Sequence, residues 1–225
     1  LRDSCPERTL VKLISLVVTL CALAPSGSAA TLESIYSRID ANARTFLGMT
    51  AKMTRLDYTA IIKDTTKESG DVAMRKAKGG RVAMKIDFVD PEKKSFSYRD
   101  KRVELYFPKI NTVQVFETGK FDTALTQGLL IGFGTSSAEL RQSYDIKLAG
   151  DHLQLSPRDP MVREHIKQID LYLDAGDGYP RQVKILKPSG DYTLITYTDI
   201  RLKPDLSEEQ VRLQVPKNVK RENMK

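Results

Sequence analysis

Tryptophan is absent from this chain of 225 residues, and histidine and cysteine occur only twice each. Zinc fingers and similar metal sites need several cysteine or histidine ligands, so the sequence offers almost no material for them. Cys5 and Cys21 are also too few for the disulfide framework that supports many small secreted domains. The chain must therefore be stabilised by a hydrophobic core, which its length amply allows.

Strong catalytic motifs are missing as well. Gly134, Thr135 and Ser136 lack the Gly-x-Ser-x-Gly spacing of a nucleophile elbow. The stretch 174–178 resembles the start of a calcium loop, but it lacks the distal glutamate and is typical of a hairpin turn. We therefore expect no catalytic residues, no metal site and no cofactor, and we interpret the chain as a binding protein rather than an enzyme.

The overall composition is that of an ordinary globular protein. Hydrophobic residues make up 40% and charged residues 29% of the chain, and the formal net charge is +7. This mild positive charge suits an anionic partner or surface. It falls short of the dense basic patch that nucleic-acid binding requires, so we expect no nucleic-acid partner.

The first thirty residues have the layout of a secretory signal peptide. Arg8 and Lys12 precede the apolar run 13–24, and small residues lead to Ala30. The run is shorter than the ~20 residues that cross a bilayer, although an N-terminal membrane anchor or a buried helix is the alternative. We expect cleavage after Ala30 and export of a single, cysteine-free domain, 31–225.

Hydrophobic periodicity predicts one helix followed by many strands. Leu32, Ile35 and Ile39 recur at helical spacing within 31–46, and the period then changes to two, as in 81–88. Short links between the segments predict antiparallel pairing. The eleven or twelve predicted strands are 49–62, 70–76, 81–88, 93–98, 102–107, 112–117, 144–149, 153–156, 166–173, 181–187, 192–202 and 211–215.

The middle of the chain interrupts this pattern with two predicted helices, 121–130 and 136–142. An antiparallel sheet of this size must curl or close to bury its apolar face. The sequence therefore predicts a mainly β fold in which the central helices plug or cover the concave side of the sheet. The predicted lid residues are apolar and lie beside glycines: Phe121, Leu125, Leu129, Leu130 and Phe133. A fixed plug is the alternative interpretation of the same segment.

Apolar alternation also predicts a wall on the inner side of the sheet. Its residues face one way along their own strands and would line a hydrophobic cavity for lipid; a tightly packed core is the alternative. The predicted lining residues are Met84, Ile86, Phe88, Leu105, Phe107, Val113 and Val115.

Several short motifs, taken in order after the signal peptide, resemble the outer-membrane lipoprotein carrier family, the LolA-like periplasmic chaperones. They run from Gly70-Asp71-Val72 and Asp90-Pro91 through 100–108 and 113–115, where the chain reads DKRVELYFP and VQV. Later matches are 144–146, 153–157 and 211–216. The resemblance covers nearly the whole of 31–225.

The resemblance implies a mainly β fold, an unclosed, curved antiparallel β-barrel covered by a helical lid. It also implies a function. Such a protein shields the acyl chains of lipoproteins between the inner and the outer membrane. The implied partners are acylated lipoproteins, an inner-membrane lipoprotein-releasing transporter and an outer-membrane acceptor, with the carrier itself a monomer. The family's lid is tied by an arginine after the second strand, where Arg75 and Lys76 are the nearest matches.

Two other functions remain open at this point. The same architecture serves a periplasmic lipid- or lipoprotein-binding sensor that signals to a membrane partner. An exported hydrolase on a β scaffold is the third interpretation, and the missing motifs disfavour it. A carrier is physically reasonable, because each exposed methylene of an acyl chain costs ~0.8 kcal/mol in water.

Overall fold

The computed structural model describes residues 31–76, 82–117, 131–203 and 205–224. The predicted signal peptide lies outside the described residues. So do four of the predicted lid residues, which are Phe121, Leu125, Leu129 and Leu130.

Most of the described chain forms strands of one sheet. The strands are β1 (Gly48–Thr59), β2 (Asp64–Lys76), β3 (Val82–Asp90), β4 (Lys94–Arg99), β5 (Arg102–Phe107), β6 (Thr112–Glu117), β7 (Tyr144–Ala149), β8 (His152–Pro157), β9 (Gln168–Leu173), β10 (Pro180–Leu186), β11 (Tyr192–Leu202) and β12 (Lys220–Met224). The α-helices of the described part are α1 (Leu32–Thr45), α2 (Ser137–Ser143) and α3 (Pro160–Arg163), and its 3₁₀ turns are Pro108–Ile110 and Glu209–Val211.

The sheet does not close into a barrel. Its strand order is β12-β6-β5-β4-β3-β2-β1-β11-β10-β9-β8-β7, so β12 and β7 are its edges. All neighbouring strands pair antiparallel except β12, which runs parallel to β6. The predicted fold, an unclosed antiparallel sheet with a few helices, is confirmed, and the parallel edge strand is an addition to it.

The predicted strand 211–215 is wrong. Val211 ends a 3₁₀ turn, and the residues after it run over the sheet without joining its ladder. Val211, Leu213 and Val215 alternate because each packs against the sheet: Val211 lies with Ala83, and the other two pack on the cluster around Val113. Alternation therefore reports burial on one side of this segment rather than strand pairing.

Helix α1 begins and ends where its sequence favours it. The Ser34 backbone N–H donates to the Thr31 hydroxyl at 3.2 Å, and the Thr31 N–H donates to the Ser34 hydroxyl at 3.1 Å, which makes a capping box. Ile35, Ile39 and Ala43 share one face and are buried. This face holds α1 against the sheet.

One hydrophobic cluster gathers distant strands around the helices. It joins Tyr98 and Val103, in β4 and β5, with Leu155 in β8 and with Ile39 of α1 and Leu140 of α2. Strands so far apart in the sheet order share one core only if the sheet curves around the helices. The core therefore fills the inner side of the curve.

Gly70 allows two of the curved strands to approach closely. A Cβ at this position would lie 2.3 Å from the Asp87 carbonyl oxygen in β3, which no side chain tolerates. The pairing register of β2 and β3 also shifts between Ser69 and Gly70. Gly70 was predicted to begin a strand, but it lies inside β2, where it marks an irregularity in the pairing.

The apolar inner face and its cover

Pairing registers and alternation place five of the seven predicted lining residues on the inner face of the sheet. Ile86 pairs with Phe96, and Phe96 pairs with Leu105, so these three side chains form one row across β3, β4 and β5. Met84 and Phe88 extend the inner face along β3. Met84, Ile86 and Phe88 belong to the main hydrophobic cluster, and Phe96 and Leu105 pack against it.

Phe107 follows Leu105 by two residues in β5 and so points to the same side of the sheet. It is half-buried, as are Phe96, Leu105 and Phe116. Met84 and Phe88, in contrast, are only 1% and 5% exposed. The inner face is therefore fully buried at its centre, whereas its apolar side chains toward β5 and β6 are partly exposed to water.

Val113 and Val115 do not share this wall, which corrects the prediction from alternation. They pair with Tyr106 and Glu104, so they point to the opposite, outer face of the sheet. There they pack beneath Leu213 in the C-terminal segment. Alternation shows which residues of one strand share a face. The turn between β5 and β6 decides which residues of β6 lie on the same face as a given residue of β5.

Two segments cover the inner face: α1 and the stretch 131–143, which contains α2. We call them together the cover. Ile131 and Phe133 are 2% and 1% exposed, so this stretch is as buried as the sheet beneath it. The predicted lid residue Phe133 therefore lies on the inner face.

Phe133 is the centre of an aromatic cluster. Its ring centroid lies 5.3 Å from that of Tyr197 in β11, with the rings nearly perpendicular, and 6.1 Å from those of Phe46 and Tyr179. Edge-to-face and offset contacts of this kind stabilise aromatic pairs beyond the area they bury. The cluster fills the inner face with side chains from both the cover and the sheet.

Glycines on both sides of Phe133 give it this position. Gly132 and Gly134 have φ values of +82° and +75°, the left-handed conformation that favours glycine. A Cβ at Gly132 would lie 2.5 Å from Cγ of Pro180, at the start of β10. The glycines therefore let the chain turn sharply while Phe133 points into the aromatic cluster.

Polar contacts join the two segments of the cover to each other and join α1 to the loop between β9 and β10. The Asp40 carboxylate of α1 accepts the Ser137 backbone N–H at 2.7 Å and the Ser137 hydroxyl at 2.9 Å. Arg38 and Asn42 donate to the backbone carbonyls of Ala175 and Asp177, in the loop between β9 and β10. The hydrogen bonds of Arg38 and Asn42 are exposed, so each stabilises by only ~1 kcal/mol, because water can replace it.

The two predicted latch residues lie in different environments. The Lys76 ammonium donates to the Ala43 carbonyl at 3.0 Å, at the C-terminal end of α1, where helix carbonyls lack partners and favour a cation. Arg75 points to the other face of β2, where its charge helps to lower the pKa of the Glu208 carboxyl. Of the two, Lys76 contacts the cover; a latch role for either residue stays a prediction.

Electrostatics distinguish the rim of the cover from the interior. Hydrogen bonds from Ser137 lower the pKa of the Asp40 carboxyl, with smaller contributions from Arg44 and Arg141. Burial instead raises the pKa of the Tyr197 and Tyr144 phenols far above its usual value. The interior thus disfavours charge, as a site for apolar groups should.

Within the described ranges, no group of three or more His, Cys, Asp or Glu residues could hold a metal ion. The Asp174 carboxylate accepts the backbone N–H groups of Gly176 and Asp177, which makes the predicted turn between β9 and β10. No helix in the described part of the chain is long and apolar enough to cross a membrane.

Sequence reasoning missed the partners of Phe133. Phe46 follows the last turn of α1, Tyr179 precedes β10, and Tyr197 lies within β11. Each is an ordinary core aromatic in its local pattern, and only the curvature of the sheet brings the three together. In the sequence, the one local indication that this segment turns sharply is the pair of glycines on either side of Phe133.

The fold is similar to that of several solved structures. An uncharacterized conserved protein from Thermus thermophilus aligns with a TM-score of 0.51 and 15% identity, over 85% of this chain and 98% of that one. A putative outer membrane lipoprotein-sorting protein domain from Vibrio parahaemolyticus gives 0.47 and 13%, over 79% and 94%. A LolA superfamily protein from Nitrosomonas europaea gives 0.42 and 12%, over 82% and 99%. Neither a protein-family model nor a curated protein matches the chain.

The Asp40–Ser137 contact predicts a pH-dependent contribution to stability. Because the folded state lowers the pKa of Asp40, the contribution is present above the unfolded value of about 3.9 and is lost as the pH falls through the folded value. We expect Asp40→Asn to reduce the free energy of unfolding in urea by about 1 kcal/mol at pH 7.

The difference between Asp40→Asn and the unsubstituted protein should shrink as the pH falls below about 4, where the carboxylate becomes protonated. Asp64→Asn, at the exposed start of β2, is the matched control and should change little. If Asp40→Asn lowers the free energy of unfolding equally at pH 7 and pH 3, the effect comes from packing and not from the charge of the carboxylate.

Proposed function

We propose that this protein is a periplasmic carrier that binds the acyl chains of lipoproteins on its apolar inner face and moves them from the inner to the outer membrane. The observation that carries the proposal is the inner face itself, which is apolar, half-open at its edge and covered by a separate layer. The ordered motifs that resemble lipoprotein carriers supply the cargo and the direction of transport.

Acyl binding requires a large apolar surface that water does not compete for. The row of Ile86, Phe96 and Leu105 continues from the buried centre of the inner face to its half-buried edge. An acyl chain entering at the edge would replace water there before it displaced any part of the core. Each methylene it buries gains ~0.8 kcal/mol, so the edge alone gives a favourable first contact.

Further binding requires the cover to move, because its side chains already fill the inner face. Phe133 occupies the centre of that face. Its segment meets the sheet through apolar contacts, and the hydrogen bonds from α1 to the loop between β9 and β10 are exposed, so water can replace them. An acyl chain that takes the place of Phe133 would restore the lost apolar burial, so exchange between the two need cost little net free energy.

The remaining parts of the proposal follow from this role. Residues 1–30 are proposed to be a cleaved signal peptide and 31–225 the exported carrier domain, which acts as a monomer. Its proposed partners are an inner-membrane lipoprotein-releasing transporter and an acceptor at the outer membrane. No reaction is proposed, because delivery requires only binding and release.

Leu105→Gln tests the edge of the proposed acyl site. The substitution places an amide on the half-buried row, so we expect the affinity for a fluorescent fatty acid to fall about tenfold, while the free energy of unfolding falls by less than about 1 kcal/mol. Fluorescence titration and urea unfolding measure the two effects.

Ile110→Gln is the matched control, because Ile110 is 65% exposed and lies in the turn between β5 and β6. It should leave both quantities unchanged. Unaltered fatty-acid binding in Leu105→Gln would exclude this row as the acyl site. Binding without transfer to acceptor vesicles would instead favour a lipid sensor.

Phe133→Ala tests whether Phe133 occupies the position of the cargo. Removing a buried phenylalanine lowers the free energy of unfolding by about 3 kcal/mol or more. If the ring competes with an acyl chain, the same substitution should raise fatty-acid affinity about tenfold.

Leu155→Ala is the control, since Leu155 is fully buried in β8 within the same cluster. It should destabilise the protein without raising the affinity. Equal affinities in Phe133→Ala and the unsubstituted protein would show that Phe133 is a fixed part of the core.

A further inference from the structure

The hairpin of β1 and β2 projects beyond the neighbouring strand β3. The pairing of β2 with β1 begins at Asp64, but its pairing with β3 begins only at Ser69. Residues 64–68 therefore extend past the end of β3, by about 17 Å at ~3.3 Å per residue. The turn 60–63, which we call the tip, closes this projection and stands clear of β3.

Two isoleucines occupy the middle of the tip. Ile61 is 90% exposed, more than any other large apolar side chain of the described residues, and Ile62 is 67% exposed. Neither belongs to a hydrophobic cluster within the described part of the chain. Burial of these side chains would gain hydrophobic free energy that the fold leaves unused. The pair therefore offers a contact for an apolar partner.

A second turn holds the tip in place. The Ala60 backbone N–H donates to the Asp191 carboxylate at 2.8 Å, in the turn between β10 and β11. A Cβ at Gly190 in that turn would lie 3.5 Å from the Cβ of Ala60, so the two turns lie side by side. Just behind them, the rings of Tyr58 and Tyr192 stack with their centroids 5.0 Å apart. The isoleucines are therefore presented by two joined hairpins and not by an isolated loop.

The outer face behind the tip is apolar and bordered by lysines. Leu56 in β1 pairs with Leu194 in β11, and both side chains are half-buried. Lys67 pairs with Leu56 from β2, and Lys184 pairs with Leu194 from β10. The Lys184 ammonium also lies 4.7 Å from the centroid of the Tyr192 ring. Isoleucines, tyrosines and this pair of lysines thus follow one another from the tip toward the sheet.

Four lysines and three carboxylates lie around the tip and the outer face behind it: Lys63, Lys67, Lys184 and Lys187, with Asp64, Asp170 and Asp191. Two of the carboxylates already accept hydrogen bonds, Asp191 from Ala60 and Asp170 from the Gln168 amide. None of the four lysines forms an ion pair with another described residue. The charged side chains at the base of the hairpin pair with one another: Arg55, Asp57, Glu68 and Lys94. The four lysines therefore remain available for anionic groups.

We propose that the tip inserts into the surface of a bilayer that contains anionic lipid. Ile61 and Ile62 enter the acyl region, and Tyr58 and Tyr192 lie at the level of the headgroups, where aromatic side chains are enriched. The surrounding lysines reach the lipid phosphates. The contact needs no acyl cargo, so it does not depend on the proposed function.

The order of the side chains favours a bilayer over a protein partner. An apolar tip followed by tyrosines and lysines matches the change from acyl chains to phosphates across one leaflet. Fluid lipid adapts to a projecting tip, whereas a protein must supply a pocket of matching shape. If such a pocket were the partner, vesicles of lipid alone would not bind the tip.

A tryptophan at the tip tests the proposal directly, because the chain has none of its own. Ile62→Trp in the full chain is titrated with phosphatidylcholine vesicles that contain phosphatidylglycerol. We expect its emission to move to shorter wavelength as the indole enters the lipid. Leu202→Trp is the matched control, since Leu202 is 52% exposed and ends β11 at the opposite end of the sheet. Its emission should not move.

Substitutions beside the reporter separate the apolar from the charged contribution. In the Ile62→Trp chain, Ile61→Ser should raise the lipid concentration at the midpoint of the shift at least about tenfold. Lys63→Gln and Lys187→Gln should each raise it about fivefold. Lys147→Gln, in β7, is their control and should leave it unchanged. All of these side chains are exposed, so we expect the variants to fold.

Absence of a shift in Ile62→Trp would overturn the proposal and would leave a protein pocket as the partner of the tip. An equal shift in Leu202→Trp would overturn it as well, because the contact would then not be specific to the tip. So would a midpoint that Ile61→Ser and both lysine variants leave unchanged.

Discussion

Burial of one apolar face on a twelve-stranded sheet that does not close is the constraint on which the rest of the structure depends. A closed barrel would fill its interior with its own side chains. An open, curved sheet needs a second layer, and here α1 and residues 131–143 supply it. Because that layer is separate from the sheet, its contacts can break without loss of the strand ladders.

The two kinds of contact that hold the cover act differently. Its apolar underside, centred on Phe133, is stabilised by burial of side chains. Its exposed polar contacts, from Arg38 and Asn42 to the loop between β9 and β10, are specific but can be exchanged for water. Acyl cargo would replace the first kind of contact and leave the second to guide the cover back into place.

Local patterns sufficed for the antiparallel pairing, for α1 and for the limits of strands such as β5, β6 and β11, whereas the family resemblance predicted that the sheet stays open. They failed where tertiary arrangement decides. The polar stretch Lys220–Met224 has no alternation, yet it forms β12 because it lies beside β6. Val113 and Val115 alternate as well as Leu105 does, and only the register between strands places them on the outer face.

The central claim is that the cover must leave the inner face for an acyl chain to enter. A disulfide between Arg38→Cys in α1 and Gly178→Cys in the loop between β9 and β10, in a chain with Cys5→Ser and Cys21→Ser, locks the cover to the sheet, because a Cβ at Gly178 would lie 3.3 Å from the Cβ of Arg38. We expect fatty-acid affinity to fall at least about tenfold on oxidation and to recover on reduction. Equal affinity in both redox states would contradict the account.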